Sequence, residues 1–399
     1  MKKQTVLGIM SLVAALVLTS CATSIQVRHL VPSEVDVSQH RTIAIGSTSM
    51  YTFPRGSTLP PWIKGSSDTS FTLSSGFNQS VNAKVADAST AFLADAMVNT
   101  EYFTVLPPET TDAYLILAKS GEDSYAMLRK KGVDALLQSS ITYMNCEEQI
   151  IGRDIKEWVT EDPAPKTPDP GDPPYVPKII TYEKVTGRSY FLEQKATITF
   201  TYTLIDLHAN RILATQSFTL QKSQETCLGK TIFGSGSESR DKSERCYSSG
   251  FAPSFFPLFN AMVKEIPATI ARQLAPSWTE SRVSLMANKP KADVDHAYKM
   301  AEKGDLRGAY AVFNQMWEQN LHTPSGYNAA LLLEGLGQYC EALALMNEVY
   351  NKSGDPKSHD QLIRLKAVVS QQEQAMKQID GSVDLVDGKM IKTQIVTAQ

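Results

Sequence analysis

Histidine is scarce in this chain, and scattered. His29, His40, His208, His296, His322 and His359 share no spacing that would make a ligand set, so each reads as a surface or structural residue. No H-E-x-x-H and no G-x-S-x-G occurs, which removes two common zinc-protease and serine-hydrolase signatures. The five cysteines form no C-x-x-C pair, so neither zinc nor thioredoxin-like redox chemistry is expected. Gly229-Lys230-Thr231 has the end of a phosphate-binding loop, but Gln224 stands where the first glycine would be. Glu147 and Glu148 are adjacent on a strand-like stretch and should point to opposite faces, so they are no acid–base pair. Net charge is only −3, or −5 without Lys2 and Lys3, and no basic run suggests nucleic acid. The expectation is a non-enzymatic protein with no cofactor and no metal. Long apolar runs are also missing, with one exception. Val6–Leu18 has thirteen residues with Ser11 inside, about 20 Å as a helix, too short for a hydrocarbon core of about 30 Å.

That run follows Met1-Lys2-Lys3, and a basic start before a short apolar stretch reads as a bacterial export signal. It ends in Leu18-Thr19-Ser20-Cys21, which resembles the lipobox of bacterial lipoproteins. The resemblance implies cleavage between Ser20 and Cys21, with lipid on the Cys21 thiol and on the new amino terminus. Several acyl chains hold a membrane far better than one, since each buried methylene adds about 0.8 kcal/mol. Ala22 rather than Asp follows the cysteine, which by the same resemblance implies the outer membrane, on its periplasmic leaflet.

Residues 1–20 therefore read as the signal and 21–39 as a lipidated tether. Thr42–Ser47 reads as a buried strand, residues 80–100 as an amphipathic helix, and "YFTVLPP" as a second strand stopped by proline. Residues 121–132 read as a helix ending at Gly132, and "VDALLQSSITYMNCEEQII" runs into a third strand. This β-α-β-α-β order favours a mixed sheet carrying helices. Residues 152–188, dense in proline, read as an extended surface insertion. Ala196, Ile198, Phe200, Tyr202 and Leu204 then alternate with threonines, the period of a half-buried strand, and the chain returns after His208-Ala209-Asn210. A second polar insertion covers 222–250. Cys227 and Cys246 bracket it and are either bridged, as an oxidising compartment would favour, or two free thiols. Ala252–Leu274 reads as a helix before Pro276.

From 290 the pattern repeats every 33 residues: Gly304 matches Gly337 and Ala309 matches Ala342. "AYKMAEKGDLRGAYAVFNQM" and "AALLLEGLGQYCEALALMNEV" resemble the tetratricopeptide repeat (TPR), with glycine in the turn and a small alanine where helices meet. The large aromatic early in the first helix is missing from both units. The resemblance implies an all-α TPR-like region over 290–380 with a peptide groove near Asn328 and Leu332, and a flexible tail at 381–399.

The first part, 40–280, is similar to the periplasmic domain shared by the curli-secretion (CsgG) and penicillin-binding-protein activator (LpoB) lipoprotein groups. "RTIAIGS", "YFTVL" and above all "GVDALLQSSIT" carry the likeness. It implies an α/β (α+β), sandwich-like domain with a mixed sheet. Together these readings describe an outer-membrane lipoprotein that binds envelope proteins or peptides through its TPR-like region. The alternative is an oligomeric subunit of a curli-type secretion channel, although proline at the hairpin position suits a membrane barrel poorly. An envelope hydrolase is a third class that no motif supports. The sequence leaves the oligomeric state and the partner open.

Overall fold

A computed structural model of the chain describes residues 23–53, 63–64, 79–117, 125–161, 179–234 and 240–380. It is mixed α/β, with nine helices among the described residues. The chain forms two compact units, one of residues 40–271 and one joining residues up to Gln39 with those from Arg272.

The first unit is built on a curled mixed sheet. Strand β2 (Thr42–Ile45) lies between β4 (Thr104–Leu106) and β5 (Ala135–Glu161), parallel to both. Helix α1 (Gln79–Val98) connects β2 to β4; α2 (Pro108–Leu117) and α3 (Ala126–Lys130) connect β4 to β5. The β-α-β-α-β order expected from the sequence is therefore present. Val81, Val85, Leu93 and Met97 form the buried stripe of α1. Gly132, at φ 75°, ends α3 in a left-handed conformation that costs glycine little. The order continues antiparallel through β6 (Ile180–Asp206), β7 (Arg211–Ile232) and β8 (Lys242–Arg245), while β3 (Ile63–Lys64) pairs with β5 further along. Helix α4 (Phe256–Leu274) follows.

The alternation in β6 sorts its two faces. Ala196, Ile198, Phe200, Tyr202 and Leu204 are all buried, and the threonines between them are partly solvated. The extent of the strands differs from the sequence reading. β5 and β6 have 27 residues each and stay paired out to Glu161 opposite Ile180, so residues 152–161 and 180–188 are sheet rather than insertion. Proline is confined to 163–177, beyond this pairing and outside the described residues. β7 likewise runs to Ile232, through the first part of the expected 222–250 insertion. At about 3.3 Å per residue the two long strands have contours near 90 Å.

The second unit contains α5 (Asp295–Glu302), α6 (Leu306–Asn320), α7 (Thr323–Gly335), α8 (Tyr339–Ser353) and α9 (Pro356–Asp380). It is not all-α. Strands β1 (Ser24–Val31) and β9 (Ser277–Ser284) form an antiparallel ribbon whose Ile25, Val27 and Val283 share one core with Ala329 to Leu333 of α7. A helical array of this size leaves an apolar face uncovered, and the ribbon buries it.

Candidate functional site

Ser20 and Cys21 lie outside the described residues. The first described residue is Thr23, whose carbonyl accepts from the Leu285 amide at 2.8 Å and whose hydroxyl donates to Glu302 at 2.8 Å. Residues 24–31 are thus not tether. Their alternation of Ile25 and Val27 with polar residues is that of a half-buried strand, and the helices use it. On the edge of β1, the Leu30 amide donates to Gln372 Oε1 at 2.7 Å and the nearby Ser33 amide to Gln378 Oε1 at 2.8 Å. Both glutamines are buried on α9, where an unpaired backbone N–H would be costly.

The repeat positions are where spacing put them. Gly304 (φ 83°) and Gly337 (φ 78°) make the left-handed turns between α5 and α6 and between α7 and α8, and Ala309 and Ala342 are wholly buried. Asp305 caps α6, accepting from the Gly308 amide at 2.9 Å. The groove reading needs correction. Asn328 and Leu332 are both 0% exposed. Asn328 accepts from the Met286 amide and donates to the Met286 carbonyl and the Tyr298 hydroxyl. The chain's own Met286 segment takes up the hydrogen-bonding groups of Asn328, so they are not open to a peptide. A concavity of about 410 Å³ lies elsewhere, between Pro290–Asp293 and the turn from α6 to α7. His322 closes one side of it, bonded to Ser325 and to the Pro290 carbonyl. Leu321 is 53% exposed on its rim and sits at φ 49°, unusual for a large apolar residue.

In the α/β unit, Cys227 at the edge of β7 meets Cys246 after β8. Both are free thiols, and a hydrogen bond between them together with burial holds the Cys227 pKa up. The register across β7 and β8 brings them together, with the Cys246 amide donating to the Leu228 carbonyl. Asp206 accepts from the amides of Ala209 and His208, which with His40 lower its pKa and fix the β6–β7 turn. Glu147 is exposed and Glu148 buried, on opposite faces as expected. Burial, with the Glu148 charge nearby, raises the Cys146 thiol far above its ordinary value, so it is no nucleophile.

A concavity of about 630 Å³ in this unit lies just past the carboxyl end of β2. Gly46, Ser47 and Ser49, Gln138 to Ser140 of β5, Thr201 and Thr203 of β6, Asp112, Leu115 and Ile116 of α2, and Tyr125 line it. The order β4-β2-β5 reverses direction at β2, and in open α/β sheets such a crevice is where ligands bind. Sequence reasoning missed it because its residues are single serines and threonines on separate strands.

No family model matches this chain. No curated protein matches it either. Solved structures with some likeness include a neuraminyllactose-binding hemagglutinin homolog from Helicobacter pylori. It is 8% identical, has a TM-score of 0.28, and covers 61% of this chain and 89% of its own. Another is lipoprotein GNA1162 from Neisseria meningitidis, 11% identical, TM-score 0.23, covering 58% of this chain and 98% of its own. A third is the PelC dodecamer from Paraburkholderia phytofirmans, 8% identical, TM-score 0.22, covering 63% and 97%. Scores this low carry no argument, and none of the comparisons shows the curli, activator or TPR families.

Among the described residues no group of three or more His, Cys, Asp or Glu could hold a metal, and no helix is long and apolar enough to cross a membrane.

Proposed function

We propose that the chain is a non-enzymatic lipoprotein of the bacterial envelope, held to the periplasmic face of the outer membrane by lipid on Cys21, and that it acts as a protein-binding scaffold with a TPR-like helical unit. The observation that carries the anchor is Leu18-Thr19-Ser20-Cys21 after a basic start and a thirteen-residue apolar run. Strand β1 starts three residues after Cys21, so at about 3.5 Å per residue lipid on Cys21 would keep the β1–β9 end of the helical unit within about 10 Å of the headgroups. For the partner, the supporting feature is the concavity beside Leu321. An exposed leucine held in a strained backbone conformation is a common mark of a binding position.

A curli-type channel subunit remains the alternative. Its hairpin would need an unbroken lipid-facing apolar band. In the outer part of β5 and β6 the ion pair Lys156–Glu183 crosses one face and Glu157 opposite Lys184 the other, so the scaffold reading is preferred.

Intact mass and membrane fractionation of the native protein beside Cys21→Ala test the anchor. An acylated chain starting at Cys21 in the outer membrane, with the variant soluble, is the expected result. Two soluble, unacylated proteins would remove the anchor and the envelope localisation with it. For the partner, a photo-crosslinking residue at position 321 should trap an envelope protein that a Leu321→Asp variant fails to retain.

A further inference from the structure

The cleft past β2 has an unusual floor. β5, β6 and β7 pair so that Gln138, Thr203 and Thr215 form one row across the sheet and Ser140, Thr201 and Ser217 the next. A third row is Tyr143, Thr199 and Thr219. None of these side chains is charged, and all of them can hydrogen-bond. All sit on the face that α2 and α3 cover only at its start, over Leu136 and Leu207. The hydroxyls already bond one another: Thr201 to Ser217 at 2.8 Å, Thr203 to Thr215 at 3.0 Å, Thr142 to Thr201 at 3.1 Å. Thr215 also donates to the Tyr202 carbonyl at 3.1 Å and Thr142 to the Thr199 carbonyl at 3.3 Å, so what these hydroxyls keep for a ligand is mainly lone pairs to accept. The strands' backbone groups are used up in the sheet, so the floor offers side-chain hydroxyls and amides alone. Beyond the third row the surface turns aromatic. Tyr143 is 44% exposed, and Tyr51 packs edge-on against it and against Phe53, with ring centres 6.3 and 4.9 Å apart.

We propose that this cleft and floor bind a neutral oligosaccharide. A sugar is the ligand whose own groups are hydroxyls that both donate and accept, and whose C–H faces stack on aromatic rings. A volume of about 630 Å³ is in the range of small-ligand sites. The charge pattern narrows the class. Asp112, the one carboxylate among the described lining residues, already takes the Ser47 amide at 3.1 Å, and no cation among the described lining residues would balance an acidic sugar or a phosphate. This inference is independent of the lipid anchor and of the peptide concavity.

The test is titration of the purified full chain with chitotetraose, a neutral probe, and with tetragalacturonate, its anionic counterpart, by calorimetry and saturation-transfer NMR. Thr201→Val with Thr203→Val keeps β-branching and shape but removes two floor hydroxyls; Gln138→Ala removes an exposed amide and serves as the second variant if the first fails to fold. Chitotetraose is expected to bind, with affinity falling at least about tenfold in each folded variant. Tetragalacturonate is expected to bind far more weakly. No chitotetraose binding at millimolar concentration, binding unchanged in both variants, or tetragalacturonate bound as well as chitotetraose would each overturn the proposal.

Discussion

Three single residues concentrate the consequences of close packing and burial. Gly326 sits in α7 where an added Cβ would lie 2.6 Å from Val349 and 2.7 Å from the Trp317 ring. Neither neighbour is a flexible end, so Gly326→Ala should cost about 1–3 kcal/mol, read from a urea midpoint. Glu334 is 1% exposed and is held by a two-pronged contact from Arg364. Arg364→Ala leaves that carboxylate buried without its partner and should cost about 3–5 kcal/mol. Replacing both by leucine should recover most of the loss, and a double-mutant cycle checks it. Asp206 is an acid-sensitive group. The Ala209 amide, with His40 and the His208 amide, holds its pKa below the usual carboxylate value of about 4. Its contribution is therefore complete above that value and is lost as pH falls through the lowered one. Asp206→Asn should cost about 1–2 kcal/mol at neutral pH and flatten the acid limb of stability against pH. An acid limb unchanged by the variant would contradict this.

Elements were legible where their pattern is local. The alternation in β6, the turn at Asn210, the stripe of α1 and the glycine turns at Gly304 and Gly337 all follow from spacing, because period and φ are properties of neighbouring residues. Strand ends were not. Residues 152–161 are polar enough to read as loop, and pairing with 180–188 makes them sheet. The β7–β8 hairpin carries the element-scale prediction. Its register places Cys227 beside Cys246, so protein recovered from an oxidising compartment should carry a bridge closing a loop of about 20 residues, contributing on the order of 3 kcal/mol. Cys227→Ser should lose that amount when oxidised and nothing when reduced. Alkylation of both thiols without reductant would show instead that they stay free.

At the scale of the whole molecule, the second unit depends on chain from both ends. Ile25, Val27, Val283 and Leu285 complete the core of α5 to α9. A fragment 290–380, which repeat spacing alone would mark as a domain, should lack a sharp unfolding transition and expose apolar surface. Joining 272–380 to 23–39 through a short linker should restore cooperative unfolding by heat; equal cooperativity in the bare fragment would contradict this. The candidate cleft belongs to the same scale, since Ser47, Asp112, Gln138 and Thr201 lie far apart in sequence and meet through a parallel crossover. By itself the sequence determined the repeat turns, the half-buried hairpin, the mixed order of strands and helices and the lipobox-like start, because each is written in residues within a turn or a strand of one another. Only the tertiary structure decided that residues 24–31 are strand rather than tether, that Asn328 and Leu332 are interior, and that a row of threonines floors a cleft. Each of those depends on which distant segment comes to cover or to leave open a given face, and local periodicity shows that a face exists without naming what lies against it.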